Sequence, residues 1–311
     1  MKAVGLTTFG GPEVLRVLEL PIPDAGPGQI RVRVRAATVN PVDTLVRRGI
    51  NFVSDAEPPY VPGMDAAGVV EQIGEGADTD LRIGDRVIAV VATSGTHGAY
   101  AEHLVVPAES VVRAPAGASD TEAATLPMNG LTARMTLDLL ELPASATVAI
   151  TGAAGAVGGY ALQLAKADGH RVIVDAAPKD EQLVRELGAD VVLPRGDDFA
   201  GLVRKEVPDG VDGLVDVVGL AEKAAAAVRD GGRIAATGGG PQGAVERGIT
   251  TRNAFVPLYA REHAKLERLR QLAEAGRLTL RVARTLPAEE AAEAHRLLAA
   301  GGLRGRLVLT F

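Results

Sequence analysis

The sequence predicts an α/β chain in two parts: a β-rich segment that reads as a small barrel, and an inserted, doubly wound parallel sheet. Three observations carry this. From Thr147 the chain runs as an apolar strand, breaks into small residues from Gly152 to Gly159, and resumes as a helix that stops at Gly169. Beyond that helix, strand and helix patterns alternate, which requires crossovers and a parallel sheet. Before Asp120 the pattern is instead one of short strands punctuated by Gly and Pro, as in a small barrel.

The elements follow in order. Lys2–Leu6 and Val14–Glu19 read as strands around the turn Gly10-Gly11-Pro12. Gln29–Ala36 alternates strictly, with Ile30, Val32 and Val34 on one face and Arg31, Arg33 and Arg35 on the other, the mark of a half-buried antiparallel strand. Gly68–Gly74, Val87–Val91 and Tyr100–Val106 are further strands. Thr121–Leu140 reads as helical with a break near Pro127. The parallel sheet then takes Thr147–Thr151, Arg171–Asp175, Ala189–Leu193, Gly213–Val218, Arg233–Thr237 and a sixth strand, Ile249–Phe255. Its crossovers include helices at Pro178–Leu187, from about Asp197 to Glu206, and at Ala221–Arg229. A helix at Tyr259–Ala275, a strand at Leu278–Thr285, a helix at Pro287–Ala300 and a strand at Leu307–Phe311 return to the style of the first segment. The expected domains are 1–119, 120–257 and 258–311, the last rejoining the first.

Composition narrows the class. The 311 residues are 47% hydrophobic but only 3% aromatic, so Ala, Val and Leu must pack the cores. The absence of cysteine excludes disulfides and thiol catalysis. A net charge of −6 without a Lys/Arg block offers no electrostatic footprint for nucleic acid. No run reaches the ~18 apolar residues of a membrane span, and Met1–Phe9 does not resemble a secretory leader, so a cytoplasmic protein without a membrane partner is expected.

Strand, glycine turn and helix in that order form a phosphate-binding start for a dinucleotide fold. The register is Ala153-x-Gly155-x-x-Gly158, an alanine-first form of the usual fingerprint. Ala153, Gly155, Ala156, Val157 and Gly158 are thus expected to take the pyrophosphate, close to backbone N–H groups and the positive end of a helix dipole. The second strand ends in Asp175. An acid there accepts the ribose 2′-OH of NAD(H) and repels the 2′-phosphate of NADP(H), by roughly 3 kcal/mol at ~5 Å and an effective dielectric near 20. Lys179 and Arg195 are cations within reach of a phosphate at the same place. Asp175 argues for NAD(H), and the two cations leave a 2′-phosphate open.

Several phrases coincide in a familiar order: Pro62-Gly-Met-Asp-Ala-Ala-Gly68, Gly84-Asp-Arg-Val87, Gly98-Ala-Tyr-Ala-Glu102, Leu126-Pro-Met-Asn-Gly-Leu-Thr-Ala133, the glycine turn, and Gly305-Arg-Leu-Val-Leu309. Over essentially its whole length the chain resembles the medium-chain dehydrogenase/reductase superfamily, in its zinc-independent quinone oxidoreductase (zeta-crystallin-like) branch. The resemblance implies a GroES-like β-barrel domain, an inserted Rossmann domain, and a cleft between them holding a nicotinamide cofactor, habitually NADP(H). It further implies that the nicotinamide lies against Val217-Val218 and Ala236-Thr237-Gly238, that main chain near Phe255 holds its carboxamide, and that Arg306 reaches the phosphates. Asn40 and Thr132 would approach from the barrel side. Asn40 is the polar candidate for a substrate carbonyl, Asp43 a bonding partner for the backbone of its loop. Tyr60 is either a proton donor or a packing residue beside Pro58 and Pro59.

Zinc-dependent members carry a catalytic Cys, a Gly-His-Glu phrase and a four-cysteine lobe. Here Asn40 stands for the Cys, Met64 for the His and Asp65 for the Glu, and the five histidines lack ligand spacing. No metal is expected. The short-chain dehydrogenases need Tyr-x-x-x-Lys, and the residues four after Tyr60, Tyr100, Tyr160 and Tyr259 are Met64, Leu104, Leu164 and His263. The implied activity is hydride transfer from NAD(P)H to a quinone or an α,β-unsaturated carbonyl. The alternatives are an enoyl-thioester reductase and a redox sensor or structural protein that binds the cofactor without turnover. Loops such as Gly49–Pro59 would shape the substrate pocket. A homodimer is implied, with Ile249–Phe255 as the edge strand extending the sheet across a two-fold.

Overall fold

The computed structural model describes residues 1–311 except 51–56, 93–96, 221, 239–241 and 245. Part of the pocket loop expected at 49–59, and the first residue of the helix expected at 221–229, lie outside the described residues. Two compact units form: residues 1–128, 257–275 and 280–311 make the first, and 129–256 with 276–279 the second.

In chain order the first unit opens with β1 (Lys2–Gly5), β2 (Arg16–Glu19), β3 (Gln29–Val39), α1 (Pro41–Arg47), β4 (Asp65–Ile73), β5 (Arg86–Val90), β6 (His103–Pro107), β7 (Val111–Arg113) and α2 (Asp120–Ala124). Helix α3 (Pro127–Leu139) carries the chain into the second unit. There follow β8 (Thr147–Ile150), α4 (Ala156–Ala167), β9 (Arg171–Ala176), α5 (Glu181–Glu186), β10 (Val191–Pro194), α6 (Phe199–Glu206), β11 (Val211–Asp216), α7 (Glu222–Ala225), β12 (Val228–Ala236), β13 (Gly243–Ala244) and β14 (Thr250–Asn253). The return consists of α8 (His263–Glu274), β15 (Val282–Pro287), α9 (Ala291–Ala300) and β16 (Arg306–Thr310).

Strand β3 organises the first unit. Its Ile30, Val32 and Val34 are buried and its Arg33 and Arg35 exposed, so the alternation seen in the sequence sets which face meets the core. Burying each such aliphatic side chain contributes about 1.5–3 kcal/mol. One edge of β3 pairs with β4; the other pairs first with β6 and then, from Ala36 to Val39, with β16. The last strand of the chain is therefore stitched to one of the first, and β16 in turn pairs in parallel with β15. Helix α2 begins at a capping box, Ser119 with Glu122. It packs on β3 and β4 of the first unit, although the sequence pattern opens the Rossmann segment at residue 120.

The second unit is a sheet in the order β10-β9-β8-β11-β12-β14-β13, parallel throughout except for β13. The six parallel strands follow the 3-2-1-4-5-6 order of a doubly wound dinucleotide fold, whose switch point falls between β8 and β11. Two expectations are corrected here. The alanine-rich helix at Ala221–Arg229 is confined to Glu222–Ala225, because β12 already begins at Val228 beside Val211. Nor is the strand at Ile249–Phe255 the sheet edge, since β13 pairs with its Thr250 and Thr251.

Candidate functional site

The glycine turn leaves β8 at the switch point. Gly152 has φ +67°, a left-handed conformation that costs glycine least. The alanine-first register is corrected accordingly: the residue that makes the tight turn is Gly152, one position before Ala153. A Cβ on Gly158 would collide with the Gly152 carbonyl oxygen, so this glycine lets the helix pack against the turn. Gly155 caps α4 without a side-chain cap, and its N–H is bonded to the Gly152 carbonyl at 2.9 Å. The next N–H groups, of Ala156, Val157 and Gly158, have no intrahelical acceptor. Together these features fit a pyrophosphate closely approached by main chain.

Asp175, near the end of β9, is turned inward. Its Oδ1 accepts the N–H of Gly152 at 3.0 Å, and its Oδ2 accepts from Arg195 Nε at 2.7 Å. The carboxylate therefore braces the turn and is already paired with a cation. Lys179 lies exposed in the 3-10 turn after β9. Thr237 follows β12, its N–H bonded to the Asp216 carbonyl at 3.2 Å, and Gly238 beside it is exposed. Val218 and Phe255 are exposed apolar side chains of the same unit. Thr151 and Asp216, which sequence reasoning does not single out, are both fully buried and hydrogen-bonded to each other at 3.0 Å. Their signal is faint: a Thr before the glycine turn and an Asp closing an apolar strand.

The first unit holds a buried polar cluster. Asn40 is the N-cap of α1, and the Asp43 carboxylate reaches back to its main-chain N–H. The Asn40 N–H is bonded to Asp43 Oδ2 at 2.7 Å; the Asp43 N–H is bonded to the Asn40 main-chain carbonyl at 3.0 Å. Asp43 Oδ1 accepts the Gly63 N–H at 2.9 Å, and Tyr100 Oη donates to Oδ2 at 3.2 Å while lying 3.3 Å from His295 Nε2. Burial pushes the Asp43 carboxyl up to about 7, against the pull of these donors. Burial, with the Arg47 charge nearby, pushes His295 down to about 3.

Asp65 stands beside this group. Its Oδ1 accepts the Thr38 hydroxyl and Asn40 Nδ2 (3.2 Å), its Oδ2 the Met128 N–H (3.2 Å). Burial raises it to about 6, opposed by the Thr38 bond and by the Arg306 charge. Arg306 is only 9% exposed, in an interior strand, and serves this unit as a counter-charge to Asp65. Asn40 Nδ2 also donates to Thr38 Oγ1 at 3.0 Å. The amide orientation follows, because the Thr38 proton is already given to Asp65. Both Nδ2 hydrogens are spent, and Oδ1 is buried and makes no hydrogen bond among the described residues. Tyr60 forms a bridge with Leu6 and stacks on Phe9, rings 5.0 Å apart. Thr132 is half-buried on α3 and belongs to the second unit.

Zinc does not fit these residues. Asn40 is bound to Thr38 and Asp65, Met64 is buried, the chain has no thiolate, and no three His, Asp or Glu side chains converge among the described residues. No helix among the described residues is long and apolar enough to cross a membrane.

Residues 26–116 match the alcohol dehydrogenase GroES-like domain, and residues 187–309 the zinc-binding dehydrogenase family. A quinone oxidoreductase of Sus scrofa is 30% identical over 99% of this chain and 97% of its own length. A chloroplastic NADPH-dependent alkenal/one oxidoreductase of Arabidopsis thaliana is 32% identical over 82% of this chain and 67% of its own. Among solved structures, mycobacterial Rv1454c in complex with NADPH superposes with a TM-score of 0.87, at 30% identity and over the full length of both chains. The chain belongs to the medium-chain dehydrogenase/reductase superfamily, in its quinone oxidoreductase branch. The barrel-bearing unit is accordingly GroES-like and the doubly wound unit Rossmann-like.

Proposed function

We propose that the protein is a zinc-independent NAD(P)H-dependent oxidoreductase that transfers hydride to a quinone or an α,β-unsaturated carbonyl. The observation that carries this is the Gly152–Gly158 turn at the switch point, where close main chain and a helix N-terminus make a site suited to an anion. A nicotinamide bound there supplies the hydride; the chain's own residues bind and orient. A quinone that gains a hydride takes one proton to become hydroquinone, and water supplies it, so no side chain need act as an acid. Asn40, 1% exposed and with both side-chain N–H groups engaged, keeps no donor for a substrate carbonyl, so its part is to order the buried polar cluster.

For the cofactor we favour NADPH. Asp175 is compensated by Arg195, whose remaining guanidinium nitrogens, with Lys179, suit a 2′-phosphate. A cytoplasmic homodimer is the assembly we expect, by likeness to the family. The test is oxidation of NADPH and NADH by 1,4-benzoquinone and by an alkyl vinyl ketone. Turnover with either acceptor supports the reading. Tight cofactor binding without turnover across quinones, enones and enoyl thioesters would favour a sensor instead.

A further inference from the structure

Tyr100 lies fully buried between Asp43 on α1 and His295 on α9, and the three side chains form a chain of hydrogen bonds inside the first unit. Asp43 Oδ1 has one neighbour, the Gly63 N–H at 2.9 Å. Asp43 Oδ2 has two, the Asn40 N–H at 2.7 Å and Tyr100 Oη at 3.2 Å. Tyr100 Oη meets His295 Nε2 at 3.3 Å, and the buried Nδ1 of His295 has no partner among the described residues. Counting protons allows two arrangements. With Asp43 ionised, all three neighbours donate to it; Tyr100 Oη then accepts, and His295 carries its proton on Nε2. With Asp43 protonated, the added proton needs an acceptor, and a main-chain N–H offers none. Tyr100 Oη is the one acceptor that the carboxyl touches. Asp43 then donates to Tyr100, Tyr100 donates to His295 Nε2, and the imidazole proton sits on Nδ1. One proton turns both bonds round.

We infer that Asp43, Tyr100 and His295 form a proton relay, in which a proton taken from water at His295 Nδ1 comes to rest on Asp43 and switches the His295 tautomer without charging the ring. The step balances: Nδ1 gains a proton, the Nε2 proton passes to Tyr100 Oη, and the phenol proton passes to Asp43 Oδ2. Burial favours neutral groups throughout. It raises Asp43 to about 7, lowers His295 to about 3, and with the Asp43 charge holds the Tyr100 phenol well above its usual range. Three charges face the relay: Asp65 of β4 raises Asp43 and Tyr100, Arg306 of β16 lowers Tyr100, and Arg47 of α1 lowers His295. The ionised carboxylate grips the Asn40 and Gly63 N–H groups by charge-assisted bonds, roughly twice as strong as neutral ones. The relay therefore couples α9 to the cap of α1.

The test is NMR of the full chain labelled with nitrogen-15 and carbon-13, in which the five histidines are few enough to resolve and His295 is assigned through bonds from its backbone. The ring nitrogens report which of them carries the proton. His295 should be protonated on Nε2 at about pH 9 and on Nδ1 at about pH 5, neutral at both, with the midpoint of the change matching that of the Asp43 carboxyl carbon. The amide protons of Asn40 and Gly63 should shift at the same midpoint. A ring that keeps one tautomer across this range, or that becomes charged within it, overturns the relay. Tyr100→Phe cuts the chain of bonds, so His295 should stay in one tautomer while Asp43 still titrates. A tautomer that still follows pH in that variant also overturns the relay. Should Tyr100→Phe not fold, the titration of the wild-type chain decides alone.

Discussion

Asp175 and Arg195 meet at 2.7 Å, and the other oxygen of Asp175 is taken by the N–H of Gly152. The acid that would mark a preference for NADH thus holds the turn with one oxygen and a cation with the other. Arg195→Ala should weaken NADPH while leaving NADH binding unchanged or improved. The Arg195 side chain is 43% exposed, so solvent screening limits the effect to about 1 kcal/mol, or roughly fivefold. Fluorescence titration of both nucleotides checks this; a larger loss of NADH than of NADPH would return Asp175 to the role of a ribose acceptor.

The glycine turn makes a sharper prediction. Gly158→Ala drives a Cβ into the Gly152 carbonyl, a backbone atom that cannot yield without moving the turn. A methyl group on Gly155 would sit 3.2 Å from the same carbonyl oxygen, a contact relieved by a shift of a few tenths of an ångström. Gly158→Ala should therefore cost about 1–3 kcal/mol of stability and more than tenfold in cofactor affinity, and Gly155→Ala distinctly less of both. Thermal melts and titration read the two effects, and equal behaviour of the variants would contradict the geometry.

Asn40 gives a third. Removing its side chain in Asn40→Ala takes a donor from Asp65 and from Thr38 Oγ1. A buried acceptor left short of a partner costs about 1–3 kcal/mol, which urea denaturation would register. A loss below about 0.5 kcal/mol would mean that water replaces the amide.

The buried acids set a pH dependence. Asp43 and Asp65 titrate near about 7 and about 6 in the folded chain, against 3.8 for the free group. Raised values mean that the folded chain binds more protons between about pH 4 and pH 7, so these two groups lower stability as pH rises through that window. His295, lowered to about 3, acts oppositely: its contribution is lost as pH falls from about 6.5 towards 3. The urea midpoint should accordingly be higher at pH 5 than at pH 8. A midpoint that rises from pH 5 to pH 8 would show that His295 outweighs the two acids, or that the donors on Asp43 outweigh its burial.

Much of this was legible in the sequence. The change from period two in β3 to strand–helix alternation after Thr147 located both units, since each pattern reflects which faces can be buried. The glycine turn was visible as composition, with Gly155 and Gly158 in place, but that the tight turn falls at Gly152 shows only in its positive φ. Short elements such as Val111–Arg113 and Gly243–Ala244 carry too few residues for a period. Ala221–Arg229 misled because alanine favours helix, while pairing with β11 takes Val228 and Arg229 into a strand. The polar clusters were out of reach for another reason. Thr151 and Asp216 are 65 residues apart, and Tyr100 and His295 195, so no local pattern records that they meet.

The most direct measurement is a single-turnover mixing experiment. The chain, pre-loaded with NADPH, is mixed with 1,4-benzoquinone and the reduced-nicotinamide absorbance followed. The account predicts rapid loss of about one equivalent per bound cofactor, with matching hydroquinone formed, and no change on prior treatment with a zinc chelator. Retention of bound NADPH in the presence of quinones and enones alike would contradict it.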